Sequence, residues 1–205
     1  MISIIRHHHC YRHHYQYKRL LHSQLYIHEN IIDDNESNIL CQWIDSKVKR
    51  KRYQSDHFDH VISNYKEFEY INNNNNDDKI DTIMKKISQI VIQNSKINNI
   101  ELLNPHVIDL SEDGYIGPHV DSIKFSGHLI AGLSLLSTRI LSLVPVNSDN
   151  KEVIELYIKP KSLYILTNEL RFDYSHSILG KNCSPKNLQP IEVQRRLSIM
   201  FRDTI

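Results

Sequence analysis

Pro118-His119-Val120-Asp121 sets a histidine and a carboxylate two residues apart at the end of a strand-like stretch. In extended backbone such residues project to the same side, so both can reach one ion. His176, far downstream, would supply a second imidazole from another strand. Two histidines and one carboxylate make the facial triad of iron(II), which leaves three adjacent octahedral positions open for a cosubstrate and oxygen. Zinc would want a closed tetrahedral set or a single water site. The pattern is short, and ordinary packed or surface histidines would also produce it.

The end of the chain adds a second signal. In Arg195-Arg196-Leu197-Ser198-Ile199-Met200-Phe201-Arg202, a period of two puts Leu197, Ile199 and Phe201 on one face and Arg196, Ser198, Met200 and Arg202 on the other. An inward guanidinium is costly unless it meets an anion, and its planar fork fits a carboxylate with two hydrogen bonds. The far carboxylate of 2-oxoglutarate is such an anion, with Arg196 as its anchor. An internal Asp or Glu is the alternative partner.

These residues need strands to hold them, and the second half of the chain supplies the pattern. Short β-type runs cover 106–110, 129–136, 139–146, 153–158, 162–166 and 196–201, with turn formers at Gly114, at Gly117 and Pro118, at 147–150 and at 159–161. Strands at this spacing suggest a sandwich or a double-sheet jelly roll. Upstream, Asp33 and Glu36 form a capping-box pattern ahead of Ile39, Leu40, Trp43, Ile44 and Val48, which recur at helical spacing. Ile80, Ile83, Met84, Ile87, Ile90 and Val91 form the apolar stripe of a second helix. The polar run 72–78 between them is expected as a surface loop. Helices first and strands afterwards make the class α+β, a jelly-roll core over 100–205 with supporting helices over 29–99.

With 205 residues, 40% hydrophobic and 24% charged, net charge +1, the chain has room for one globular domain, assigned to 29–205, and no bulk charge that calls for a polyanion. The basic run at 47–52 could contact phosphates; a solvated helix end is the simpler reading. No apolar stretch is long enough for a membrane-spanning helix. Cys10, Cys41 and Cys183 are odd in number, widely spaced and lack any CxxC pair, which argues against a disulfide framework or a zinc knuckle. Residues 1–28 carry Arg6, Arg12, Lys18 and Arg19 and no acidic residue, the composition of a mitochondrial targeting leader. More than half of the thirteen histidines lie there, without acidic partners that would fix a metal site.

The segments KRYQSDHFDH (51–60), HVIDL (106–110), GYIGPHVDSIKF (114–125), IAGLSLL (130–136), SLYIL (162–166) and RFDYSHSI (171–178) together resemble the AlkB family of iron(II)/2-oxoglutarate dioxygenases, in particular its mitochondrial homologue-seven branch. The resemblance spans nearly everything after the leader. It implies a double-stranded β-helix, an iron site of His119, Asp121 and His176, and 2-oxoglutarate contacts from Tyr164, Arg196, Ser198 and Arg202, with O2 as the third reagent. It implies a monomer in the mitochondrial matrix, acting on a protein or small molecule, with roles in mitochondrial metabolism and alkylation-induced necrotic death. Nucleic-acid repair members carry an Asn-x-Tyr strand where this chain has Ile108 and Leu110, which counts against base repair. RNA demethylation and a non-catalytic metal-binding module remain the alternatives.

Overall fold

The computed structural model describes residues 24–72, 77–124, 126–147 and 152–204. In chain order the elements are β1 (Leu25–His28), α1 (Asp34–Val48), β2 (Ile62–Glu69), α2 (Asp78–Ser95), β3 (His106–His119), β4 (Leu129–Leu135), β5 (Arg139–Pro145), β6 (Ile154–Ile158), β7 (Leu163–Thr167), the short α3 (Asn168–Phe172), β8 (Tyr174–Ile178) and β9 (Arg196–Arg202). The strands follow the order β1-β7-β4-β9-β3-β8-β5-β6, with β2 joined to β3 off this path. Every pairing between named strands is antiparallel. Strand β3 belongs to both halves of the jelly roll: residues 106–110 pair with β9, and Ile116 and His119 pair with Ile178 and His176 of β8.

Alternation along the strands divides the apolar residues into two cores. Leu197, Ile199 and Phe201 of β9, Leu129, Ala131, Leu133 and Leu135 of β4, and Leu163 and Ile165 of β7 face the two long helices. There they meet Leu40, Ile44 and Val48 of α1 and Ile80, Ile83, Met84, Ile87 and Val91 of α2, so the helical stripes cover one sheet face. Each fully buried Leu or Ile contributes on the order of 2 kcal/mol. The opposite faces enclose Ile108, Leu110, Ile130, Leu141, Leu143, Tyr164, Leu166 and Met200 between the two halves of the roll. Buried Asp109 ties the helical layer to the sheet, accepting from Arg195 Nε at 2.8 Å and Nη2 at 2.9 Å, while Arg195 also reaches Asp45 of α1 at 2.6 Å.

Both long helices are capped at their starts. Asp33 and Glu36 close the capping box, with Glu36 N donating to Asp33 Oδ1 at 2.7 Å and Asp33 N to Glu36 Oε2 at 2.9 Å. Asp77 caps α2 by accepting from Lys79 N at 2.9 Å, so Asp77 and Asp78 belong to that helix and not to the loop expected over 72–78.

Three further boundaries differ from the sequence expectation. Leu25–His28, the end of the segment assigned to a leader, pairs along β7 and extends the sheet; residues 1–23 lie outside the described part. Strand β2 falls inside the region expected to be helical. Its polar residues alternate with few apolar ones, and pairing with β3 rather than burial holds it, Tyr65 being its one fully buried residue. Gly114, Gly117 and Pro118 do not end β3, which runs through them with a register shift against β2 beside Gly114 and another against β8 between Ile116 and His119. A Cβ at Gly114 would stand 2.7 Å from Asn64 O and 3.1 Å from Ser63 O, so only glycine lets β2 approach the bulged stretch of β3 there.

Candidate active site

The end of β3, the segment after it and β8 bring His119, Asp121 and His176 together. One ligand atom from each lies within 4.8 Å of the others. His119 and His176 are direct register partners across β3 and β8, with ring centroids 4.2 Å apart. His119 Nε2 lies 3.0 Å and His176 Nε2 3.6 Å from Asp121 Oδ1. On the other side of its ring, His119 Nδ1 sits 2.9 Å from Gly117 O, which fixes Nδ1 as the protonated nitrogen and leaves Nε2 free to ligate. Arg202 Nε donates to Asp121 Oδ2 at 2.5 Å, so one carboxylate oxygen is held by the guanidinium and the other faces the imidazoles.

Electrostatics prepares these groups to ligate. Burial of Asp121 works against its charge, but the hydrogen bond with His119 and the nearby Arg202 outweigh it and hold the carboxyl well below the usual carboxylate range. Burial, with His119 alongside, pushes His176 down to about 3, so its imidazole is neutral at neutral pH. A histidine that binds its proton less readily folded than unfolded destabilises the fold in acid. Metal-free protein is therefore expected to lose stability as pH falls below about 6.5, the ordinary histidine value, by up to about 1.4 kcal/mol per pH unit. The loss levels off near pH 3 for this group, while Asp121 adds a further loss below its ordinary range. Thermal denaturation in chelator across this range measures the slope, and a flat profile between pH 6.5 and 4 would contradict it.

A second cluster adjoins the first on the inner faces of β9, β7 and β4. Arg196 is fully buried; its Nε donates to Ser134 Oγ at 2.9 Å, while Nη1 and Nη2 meet no hydrogen-bond partner among the described residues. Ser198 Oγ, two residues along the same face, is buried and equally unpartnered. Tyr164 reaches in from β7, its hydroxyl 3.6 Å from Met200 Sδ, and burial raises its pKa. The donors left over, a guanidinium end and a serine hydroxyl, fit a carboxylate. The internal Asp or Glu partner for Arg196 is absent among the described residues. Ile108 and Leu110, in place of the Asn-x-Tyr strand, line the inner core as apolar residues.

No family model matches the chain. Individual relatives do. The alpha-ketoglutarate-dependent dioxygenase alkB homolog 7, mitochondrial, of Mus musculus is 34% identical over 187 residues, covering 89% of this chain and 79% of its own length. The protein of the same name from Bos taurus is 36% identical over 167 residues, 82% of this chain and 72% of its own. The chain belongs to the alkB homolog 7 family of alpha-ketoglutarate-dependent dioxygenases. Members of this family are enzymes that use iron(II), 2-oxoglutarate and O2, and the donor set of His119, Asp121 and His176 suits that metal.

The fold agrees at greater distance. A prolyl hydroxylase from Trichoplax adhaerens, solved with a hypoxia inducible factor oxygen degradation domain peptide, aligns at TM-score 0.66 and 12% identity, over 91% of this chain and 86% of its own. A Pseudomonas putida prolyl-4-hydroxylase aligns at 0.62 and 10%, over 91% and 95%. OsALKBH1 aligns at 0.56 and 14%, over 88% and 96%. In this alkB homolog 7 relative the inner cluster also depends on Gly132 of β4, where a Cβ would stand 2.6 Å from the Tyr164 ring and its hydroxyl. Gly132→Ala is expected to displace Tyr164, to cost about 1–3 kcal/mol of stability and to weaken 2-oxoglutarate binding. Denaturation together with a 2-oxoglutarate titration tests both, and unchanged affinity would exclude Tyr164 from the cosubstrate pocket.

Proposed function

We propose that this dioxygenase works in the mitochondrial matrix on a protein or small-molecule substrate, binding iron(II) through His119, Asp121 and His176 and 2-oxoglutarate through Arg196, Tyr164, Ser198 and Arg202. The observation that carries this reading is the three-ligand cluster set beside a buried guanidinium, two of whose nitrogens have no hydrogen-bond partner among the described residues. Bound iron(II) with 2-oxoglutarate and O2 supplies the oxidation of a substrate C–H bond, coupled to release of succinate and carbon dioxide.

The protein's own part is positioning. His119 is oriented by Gly117 O, and Arg202 holds Asp121 so that one oxygen remains for the metal. Arg196, steadied by Ser134, takes the far carboxylate of 2-oxoglutarate, with Ser198 and Tyr164 as hydroxyl donors beside it. Arg202, bonded to Asp121, would lend its positive charge to both the metal site and the cosubstrate. Burial of Arg196, Ser198 and Tyr164 keeps water from competing for these contacts.

The mitochondrial placement draws on the names of the Mus musculus and Bos taurus relatives and on the acid-poor start of the chain. RNA demethylation is favoured by one observation, the exposed basic run at 49–52, and opposed by apolar Ile108 and Leu110. No helix among the described residues is long and apolar enough to cross a membrane. The test is succinate formation by purified protein with iron(II), 2-oxoglutarate and O2, offered matrix proteins, metabolites or RNA as separate pools. Stimulation by the protein or metabolite pool supports the proposal. Stimulation by RNA alone, with binding that weakens steeply in salt, would install the alternative; no oxygen-dependent succinate at all would leave a metal-binding module.

A further inference from the structure

The three largest fully buried side chains of the described residues are arginines: Arg139, Arg171 and Arg196. A guanidinium removed from water needs its donors satisfied. Arg139 meets most of that need with backbone, its Nη1 donating to Gly114 O at 3.2 Å and Leu179 O at 3.4 Å and its Nη2 to Ser111 O at 2.8 Å, which leaves only Nε without a partner among the described residues and no two-pronged edge open. Arg196 does not, and its spare nitrogens are taken above as the anchor for 2-oxoglutarate. Arg171 shows the same pattern and has no assigned ligand. Its Nη2 donates to Ser126 O at 3.0 Å, while Nε and Nη1 meet no hydrogen-bond partner among the described residues. No carboxylate lies within ion-pair distance of it there.

Its position ties it to the metal cluster by two connections. Arg171 is on α3, which runs directly into β8 and His176, and its bond to Ser126 reaches the segment that follows Asp121. The charge is close enough to act on both Asp121 and His176. Phe172 lies under the guanidinium, 4.9 Å from Cζ, and His128 meets the Phe172 ring edge-on at 5.9 Å. That aromatic floor fixes the plane of the guanidinium and leaves its edges as the functional surface. With one Nη2 proton committed to Ser126, the other still pairs with Nε on one edge or Nη1 on the other, so a two-pronged donor remains.

We propose that Arg171 binds a carboxylate of the substrate beside His119, Asp121 and His176, making the enzyme selective for acidic substrates. This rests on the reading of the cluster as the iron site. With Arg196 assigned to the far carboxylate of 2-oxoglutarate, Arg171 is the remaining buried guanidinium with a vacant fork among the described residues, and it is tied to the His119, Asp121 and His176 cluster through α3 and Ser126. The carboxylate belongs either to a small acid or to an acidic side chain of a peptide.

The experiment uses the full chain loaded with Mn(II) and 2-oxoglutarate, which binds without turning over. Benzoate and N-acetylglutamate amide are titrated by calorimetry against their neutral counterparts, benzamide and N-acetylglutamine amide. The expected result is at least about tenfold tighter binding of one or both acids than of the matching amide, the scale of a charge-assisted pair. Benzoate alone would point to a small acid, and the glutamate derivative alone to a peptide. Arg171→Met is expected to abolish the acid-over-amide ratio while keeping Mn(II) and 2-oxoglutarate affinity. Arg171→Lys, which keeps charge but not the fork, is expected to retain part of the ratio and guards against a folding defect in the first variant. Equal binding of acid and amide, no binding of either acid at millimolar concentration, or a ratio that survives in Arg171→Met overturns the proposal. So does loss of 2-oxoglutarate affinity in Arg171→Met, which would make Arg171 a cosubstrate residue. Wild-type protein that fails to bind Mn(II) with 2-oxoglutarate would instead overturn the metal-site reading and the inference resting on it.

Discussion

Arg196→Met is expected to abolish 2-oxoglutarate-dependent turnover while leaving the thermal stability of the protein unchanged or raised. The two halves of this expectation come from the same fact. Without cosubstrate the guanidinium is fully buried, its Nε bonded to Ser134 and its Nη1 and Nη2 without a partner among the described residues, so it costs the fold more than it contributes. Methionine fills similar volume without charge and adapts to the gap beside Met200 and Tyr164. With cosubstrate the balance reverses, because a carboxylate brought into that cluster and left without its partner costs about 3–5 kcal/mol, or at least 100-fold in affinity. Calorimetric titration of 2-oxoglutarate and thermal denaturation measure the two sides independently. A destabilised variant that still binds 2-oxoglutarate would make Arg196 a structural residue.

Asp121→Ala and His119→Ala are expected to reduce succinate formation to background. Asp121 is the anionic member of the three-residue cluster and also the partner of Arg202, so its removal takes away the proposed carboxylate ligand and leaves a guanidinium facing two imidazoles. Loss of a supporting group around a metal ligand costs about 10–100-fold in affinity or activity, and loss of the ligand itself should exceed that. His119→Ala keeps the Arg202–Asp121 pair intact and isolates the ligand's contribution. Metal titration of both variants, alongside succinate measurement, separates failed binding from failed chemistry. Unchanged turnover in either purified variant would reject the three-residue site.

The parts of this arrangement that obey a local period could be seen in the sequence. Alternation in β9 separated Leu197, Ile199 and Phe201 from Arg196, Ser198 and Met200, and the structure sends the first set to the helical layer and the second between the sheets. The helical stripes from Leu40 and Ile80 were legible for the same reason. Residues whose environment is made by distant partners were not. Strand β2 carries too few apolar residues to announce itself, because pairing with β3 supplies what burial does not. Gly114, Gly117 and Pro118 have the composition of a turn, and only the approach of β2 shows that the strand continues. Nothing local in the sequence marks Arg171 as buried; in the structure it is fully buried and its Nη2 donates to Ser126 O, a partner 45 residues away. The pairing of Asp109 with Arg195 likewise joins positions that no local pattern connects.

Strand β3 acts as a ruler. Its first half lies along Arg196, Ser198 and Met200 of β9, and its last residue is His119. The span between Arg196 and the His119, Asp121 and His176 cluster is thus set by one continuous length of backbone, irregular at Gly114 and clasped there by Arg139 through the carbonyls of Ser111 and Gly114. A change at that irregularity would alter how far Arg196 stands from the three-residue cluster, so the geometry of the proposed site depends on a stretch of backbone that contributes none of its side chains.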